Sequence, residues 1–340
     1  MRTITIIGGG LAGLALGIGL RKRGIPVTLH EAMTYPRHRV CGEFICGVTS
    51  RTLQSLGIEA ELTDAEQCRT TGWYCQEKPV YQHELPKVAL GLSRHLLDFR
   101  LAQKFQQIGG NLLTASRFSS PESQEGIITA TGRKVHKRSP WIGLSLHCEV
   151  LPLSHDLEIH LGQHGYIGLS RIENNRVNMC GLFRKQTGIT AKKSDLLLAY
   201  LKINGLQQLR DRIENSKIVE ESVVGISHLD FNQRVLCDSN KLSLGDHSAL
   251  IPPFTGNGMS MALKSAEIAL NPVTFYAKEF IAWGDVINSV QQQIQKEFSR
   301  RLKIACLLHP FFYTKLGQNL LVRGAQLNLL PFNQIFRATH

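Results

Sequence analysis

The 340-residue sequence predicts an α/β fold in which an antiparallel sheet domain is spliced into a parallel-sheet domain, with helices closing the chain. Three observations carry this. A β-branched run, Thr3 to Ile7, passes through a glycine cluster into an apolar helix and on to a second strand ending at His30. A second strand–turn–helix unit recurs far along the chain, from Leu242 to Leu270. Between the two units lie short alternating runs separated by turn residues. The parallel-sheet domain is expected over 1–70, 90–138 and 230–300, the antiparallel one over 71–89 and 139–229, and a helical segment over 301–340.

The elements justify this in order. Thr3-Ile4-Thr5-Ile6-Ile7 suits a strand buried on both faces. It runs into Gly8-Gly9-Gly10-Leu11-Ala12-Gly13, then into LALGIGLRKRG, apolar at helical spacing and stopped by Gly24. Pro26 to His30 is the second strand, with Glu31 at its tip, eighteen residues after Gly13. A GxGxxG that follows a strand, opens a helix and is answered by an acid at this distance has the context of a dinucleotide site. Gly8 permits the tight turn, Gly10 admits a pyrophosphate to the helix N-terminus, Gly13 lets helix and strand pack, and Glu31 accepts from a ribose diol.

Composition narrows the partners. No window approaches the 18 or so apolar residues of a membrane span, and MRTITIIGGG lacks a signal peptide's charged start, so the expected compartment is the cytoplasm, with membrane-peripheral placement open. Eight cysteines are scattered without any CxxC, which argues against a metal site. The net charge of +12 is spread in small basic groups rather than long tracts, so nucleic acid is not expected. An anionic cofactor, an acidic carrier protein or an anionic membrane surface fits better.

Three later segments choose the dinucleotide. Ile127 to Arg133 reads IITATGR, with Gly132 at the strand end. Leu242 to Asp246 is a strand closing on Gly-Asp. It is followed by Pro252-Pro253-Phe254-Thr255-Gly256-Asn257-Gly258-Met259 and a helix of small residues, while Gly91-Leu92-Ser93-Arg94 precedes another helix. Together these resemble the superfamily of FAD-dependent aromatic hydroxylases and geranylgeranyl reductases. The resemblance implies FAD as cofactor, with NAD(P)H or another electron donor as transient reductant. It places Gly8, Gly10, Leu11, Ala12, Gly13, Glu31, Arg39, Cys41, Gly42, Arg94, Gly132, Asp246, Pro253, Gly256, Asn257, Gly258 and Met259 on the cofactor. Asp246 would hold a ribityl hydroxyl, and the turn from Pro253 to Gly258 would lie against the flavin ring and pyrophosphate.

The stretch VCGEFICG, Val40 to Gly47, matches a Cys-Gly-Glu of the reductase branch at Cys41-Gly42-Glu43. It is expected to pass the isoalloxazine. Gly42 would be needed for backbone approach, a Cβ there clashing or forcing unfavourable φ/ψ. Cys41 is the candidate catalytic residue, either as a thiolate favoured by Arg37 and Arg39 or as a neutral thiol packed by the ring. Cys46 is expected to open the next helix as a core residue.

WIGLSLHCEV, DLEIHLG, GYIGLS and RVNMCGLF read as a meander, with residues 73–90 adding strands. Two departures bear on chemistry. Tyr166-Ile167-Gly168-Leu169-Ser170-Arg171 stands where isoprenoid reductases carry Tyr-x-Trp-x-Phe-Pro, and His247 is displaced from the hydroxylases' Gly-Asp-Ala-Ala-His. The leading expectation is a monooxygenase that hydroxylates an apolar, phenolic or polyketide-type molecule through a flavin hydroperoxide. Double-bond reduction or dehydrogenation is the alternative, and a non-catalytic flavin-binding adaptor a further one. An electron-donor protein is a candidate partner. The tail from Leu307, apolar with interspersed basic residues, reads as core-packing helices or as an amphipathic membrane-facing or substrate-portal surface.

Overall fold

The computed structural model describes residues 1–118, 125–133, 139–191, 193–229, 231 and 241–340. The expected boundaries at 138 and 230, and Cys237, lie outside these. The strands are β1 (Ile4–Ile7), β2 (Val27–His30), β3 (Phe44–Ile45), β4 (Glu66–Cys75), β5 (Lys78–Gly91), β6 (Asn111–Leu113), β7 (Ile127–Thr129), β8 (Trp141–Glu149), β9 (Leu157–Gly162), β10 (Gly165–Ile172), β11 (Arg176–Arg184), β12 (Lys217–Leu229) and β13 (Leu242–Ser243). The helices are α1 (Leu11–Lys22), α2 (Ser50–Leu56), α3 (Arg94–Gln107), α4 (Ser194–Ile203), α5 (Gln207–Glu214), α6 (Gly258–Ala277), α7 (Trp283–Leu308), α8 (Pro310–Tyr313), α9 (Lys315–Gln326) and α10 (Phe332–Thr339).

The first sheet has five strands, ordered β13-β7-β1-β2-β6, every pair parallel. Its centre is β1, whose Ile4 and Ile6 are fully buried. Such a sheet needs cover on its faces. Helix α1 supplies it, with every residue from Leu11 to Leu20 buried, and packs against α3 and α6. The helix starts and stops where caps allow. Ser93 accepts from the Leu96 N–H at 3.1 Å to open α3, and Gly24, at φ +77°, ends the turn after α1.

The second sheet has eight strands, ordered β12-β8-β11-β10-β9-β4-β5-β3. Its turns use residues that tolerate positive φ: Asn174 and Asn175 join β10 to β11 at φ +61° and +56°, and Gln76 and Glu77 join β4 to β5. Helices α4 and α5 cover one side, around Phe183, Leu201 and Leu209. Helices α8 and α10 pack with strand residues of the far side, around Trp73, Tyr166 and Phe332.

Three expectations change here. The boundary at 71 falls inside β4, which starts at Glu66, because Cys68 is buried and Thr70 and Thr71 already pair with β5. The sheet is not wholly antiparallel: β4 runs parallel to β9, Thr71 beside Leu157. A parallel neighbour requires a long crossover, and the chain between Cys75 and Leu157 provides one through the first sheet. Cys46 does not open a helix. It follows β3, pairs its neighbourhood with the second sheet, and is buried with Cys68, Ala89 and Phe336; α2 begins four residues later, capped by Thr49.

Candidate functional site

The two glycine-rich turns converge. Gly8, at φ +108°, ends β1 so close to β7 that a Cβ would lie 2.3 Å from the Ala130 carbonyl oxygen. Gly13 faces back onto the same turn, where a Cβ would lie 2.0 Å from the Gly8 oxygen. Gly10 differs: the nearest atom to its Cβ position is Nη2 of Arg94, at 3.8 Å. Gly10 also caps α1 without any side-chain hydrogen bond, so the helix N–H groups face that space. Leu11 and Ala12 follow as the first buried turn, and Ala12 touches the second motif, 3.2 Å from the Cβ position of Gly245.

Glu31 closes the near end. Its carboxylate is buried and accepts from Gly9 N–H at 2.8 Å, Met33 N–H at 2.9 Å and Arg37 Nη2 at 2.8 Å. Part of its capacity is therefore spent on holding the turn itself. Beside it, the fully buried Asp98 binds Arg94 through both oxygens at 2.8 Å and lies 3.1 Å from Arg39 Nε. Burial acts to lower the Arg94 pKa, but Asp98 holds it above the ordinary value. Arg39 Nε and Nη2 are buried and, among the described residues, make ion pairs with Asp98 and, at 3.8 Å, with Glu31 but no hydrogen bond. Two guanidinium groups thus stand beside an uncapped helix start.

The second motif lines the other side. Asp246 lies in a 3-10 turn after β13, and its carboxylate makes no hydrogen bond among the described residues. Burial raises its pKa, against the pull of Arg94, Arg39 and Arg133. His247 contacts Thr131 Oγ1 at 3.0 Å and the Gly132 carbonyl at 3.2 Å, which ties this turn to the end of β7. Beyond Pro253, Gly256 (φ +68°) turns the chain into α6, again without a side-chain cap. Cβ positions at Gly132 and Gly258 meet no protein atom within 4 Å. Met259 is buried at the start of α6, and Asn257 donates its amide to the Thr339 carbonyl, fastening α10 to the turn.

The cysteine loop hangs from the second sheet by its carbonyls. Ser145 of β8 donates to Arg39 O at 3.5 Å, Asn178 of β11 to Cys41 O at 3.0 Å, and Ser170 of β10 to Gly42 O at 2.9 Å. Glu43, at φ +51° and buried, turns inward to accept from Arg94 N–H at 2.8 Å and to meet His147 Nε2 at 2.7 Å. Burial raises the Glu43 pKa, with His147 acting the other way. His38 stands edge-on to His147 and stacks on His95, 4.3 Å between centroids; burial, with His147 and His95, lowers His38 to about 4.

Gly42 corrects one expectation. Its φ is not positive, and a Cβ there meets no protein atom within 4 Å, so any clash must come from a ligand. Cys41 was left with two alternatives, thiolate or neutral thiol. Burial raises its thiol pKa in spite of Arg94, which favours the neutral-thiol alternative, and the cation acting on it is Arg94 rather than Arg37. Cys41 and Cys46 are both free.

Beside the second motif opens an apolar cavity of about 160 Å³, lined among others by Phe44, Trp73, Ile159, Phe254, Phe312 and Phe336. Phe44 continues the cysteine loop and Phe254 belongs to the turn, so the cavity adjoins both segments. Ser145, Asn178, Ser170, Glu43 and His147 were not singled out as site residues from sequence. For Ser145, His147, Ser170 and Asn178 the only signal was polar residues breaking otherwise apolar strands, while Glu43 appeared only as part of the Cys-Gly-Glu match.

The donor set fits a flavin dinucleotide. Uncapped helix starts at Gly10 and Gly258 and the Arg39 guanidinium, ion-paired but without a hydrogen bond among the described residues, suit a diphosphate, Glu31 an adenosine ribose, and Asp246 a polyhydroxylated chain. The parallel sheet, the two glycine-rich turns and this donor set together have the form of a dinucleotide-binding fold. Residues 1–139 match the FAD binding domain family. Among solved structures, PqsL of P. aeruginosa in complex with 2-aminobenzoylacetate is similar at TM-score 0.74 and 15% identity, over 95% of this chain and 99% of that one. A geranylgeranyl bacteriochlorophyll reductase-like protein from Thermoplasma acidophilum gives 0.75 and 16%, over 99% and 96%. The flavin-dependent brominase Bmp2 gives 0.73 and 16%, over 99% and 93%. At these identities the likeness is one of fold. No curated protein sequence matches.

Proposed function

We propose that the protein is an FAD-dependent oxidoreductase, and specifically a monooxygenase that hydroxylates an apolar small molecule of phenolic or polyketide type. The observation that carries this is the apolar cavity against Phe254 and Phe44, adjoining both cofactor segments. Bound FAD supplies two-electron chemistry and, once reduced by NAD(P)H or another donor, reactivity toward dioxygen. The chain binds and shields. Arg39, Arg94 and the two helix starts hold the diphosphate, Asp246 the ribityl chain, and the Cys41–Glu43 backbone the ring. The cavity walls orient the substrate and exclude water, which protects a reactive oxygen species from wasteful decay. PqsL was solved with an aromatic carbonyl compound, in keeping with a substrate of this class.

A second reading has its own observation. The buried Glu43–His147 pair beside Cys41 is a proton-holding group of the kind that double-bond reduction needs, and it lies on the segment shared with the reductase branch. Oxygen uptake separates the two. With NADPH and a series of alkylphenols, the monooxygenase reading expects substrate-dependent oxygen consumption and a product heavier by one oxygen atom. Full product formation by prereduced enzyme under anaerobic conditions would end it in favour of reduction.

A further inference from the structure

The C-terminal helices carry a face that the flavin site does not explain. Leu316 and Leu320 on α9, Leu327 and Leu329 just past it, and Leu307 near the end of α7 are each 60–80% exposed. Along α9 and its C-terminal cap the positions Leu316, Leu320, Arg323 and Leu327 recur at helical spacing, while Gly317, Gln318, Leu321 and Ala325 turn inward. Leu320 belongs to both regions: it is exposed on this face and lines the apolar cavity, as do Leu308 and Leu330. Charge adds a second, independent observation. From Phe298 to His340 the chain has six Lys or Arg and no Asp or Glu. Lys303, Lys315, Arg323 and Arg337 are exposed and make no ion pair among the described residues.

The geometry points to a docking surface for an anionic lipid bilayer, with the leucines entering the headgroup boundary and the basic side chains meeting phosphate. Amphipathic helices with leucine and basic residues side by side bind in this way, and each basic residue adds attraction toward anionic lipid. A second copy of this chain fits poorly. An isologous contact would set the same acid-free, basic face against itself. Resting on the proposed function, the shared Leu320 makes this face the cavity's mouth, so that the substrate class includes molecules drawn from the lipid phase.

The test uses the flavin-loaded protein and cosedimentation, with no turnover required, so its outcome is separate from that of the reaction assay. Vesicles of equal parts phosphatidylcholine and phosphatidylglycerol should bind it on the order of tenfold or more tighter than phosphatidylcholine alone, with loss at high salt. Leu316→Ser with Leu327→Ser, and separately Lys315→Glu with Arg323→Glu, should each abolish binding while retained flavin reports an intact fold. None of these four residues lines the cavity. Failure of the parent to bind anionic vesicles, or equal binding by the leucine variant, overturns the proposal. A concentration-dependent dimer that Leu316→Ser with Leu327→Ser dissolves also overturns it, and assigns the face to a second copy.

Discussion

Gly10→Val should leave the apoprotein folded and remove most of its affinity for FAD. Gly10 has φ −88° and ψ −173°, an extended conformation that valine adopts readily. Its Cβ would come no closer than 3.8 Å to any protein atom outside its own neighbours. The folding cost is then that of a poor helix cap, about 1 kcal/mol. The valine methyls, however, occupy the approach to the α1 start. Displacing a diphosphate there by one carbon diameter breaks about two charge-assisted hydrogen bonds, each worth roughly 1.5–3 kcal/mol. That sums to about 3–6 kcal/mol, or on the order of 100- to 10,000-fold in affinity. Gly13→Val is the internal control, because its Cβ would sit 2.0 Å from the Gly8 oxygen and force the backbone to move. It should cost roughly 3 kcal/mol or more of stability before any ligand is added. Urea melts of the apoproteins and quenching of flavin fluorescence on titration separate the two effects. Parent-like FAD affinity in Gly10→Val, or equal unfolding in both variants, would refute the reasoning.

Cys41→Ser should keep FAD and lower the turnover rate less than about tenfold, because burial raises the thiol pKa and so disfavours a reactive thiolate; a loss of several orders of magnitude would make Cys41 a reacting group. Glu43→Ala should cost about 3 kcal/mol in urea denaturation, since it leaves His147 Nε2 and Arg94 N–H without their buried partner, and Glu43→Gln should cost less. His309, stacked on Phe254 and buried, titrates near 4 instead of 6.5. Its folded pKa is depressed, so the unfolded chain takes up the proton first. Its contribution is full above the unfolded value and falls toward pH 4, a loss of about 2 kcal/mol by pH 5. His309→Phe should flatten that part of the stability–pH curve; an unchanged slope would assign it to other groups.

The sites that local chemistry dictates were legible in the sequence. A β-branched run followed by three spaced glycines reads as a tight strand-to-helix turn, and each glycine here has a distinct spatial reason. Asn174-Asn175, between two of the alternating runs, turns β10 into β11 for the same kind of reason, as positive φ at both positions suits asparagine. What escaped reading depends on distant partners. Glu43 and His147 are 104 positions apart, and Asn257 reaches Thr339 across 82. Nothing in either neighbourhood announces the other. Cys46 was misplaced because β3 is only two residues long and gains its identity from pairing with Leu90 and Gly91. The strain expected at Gly42 fell instead on Glu43, whose side chain needs the inward turn to reach His147.

The central claim is that one FAD spans both motifs, with its adenosine end at Glu31 and its ribityl chain at Asp246. Parallel titrations of parent and Asp246→Ala apoprotein with FAD and with ADP test it most directly. Asp246 faces Arg94, Arg39 and Arg133 without a hydrogen-bond partner among the described residues, so its removal should spare the fold. The account predicts a loss of FAD affinity on the order of 10- to 100-fold, the worth of about one hydrogen bond to a charged group, with ADP affinity unchanged. Unchanged FAD affinity, or an equal loss for ADP, would contradict it.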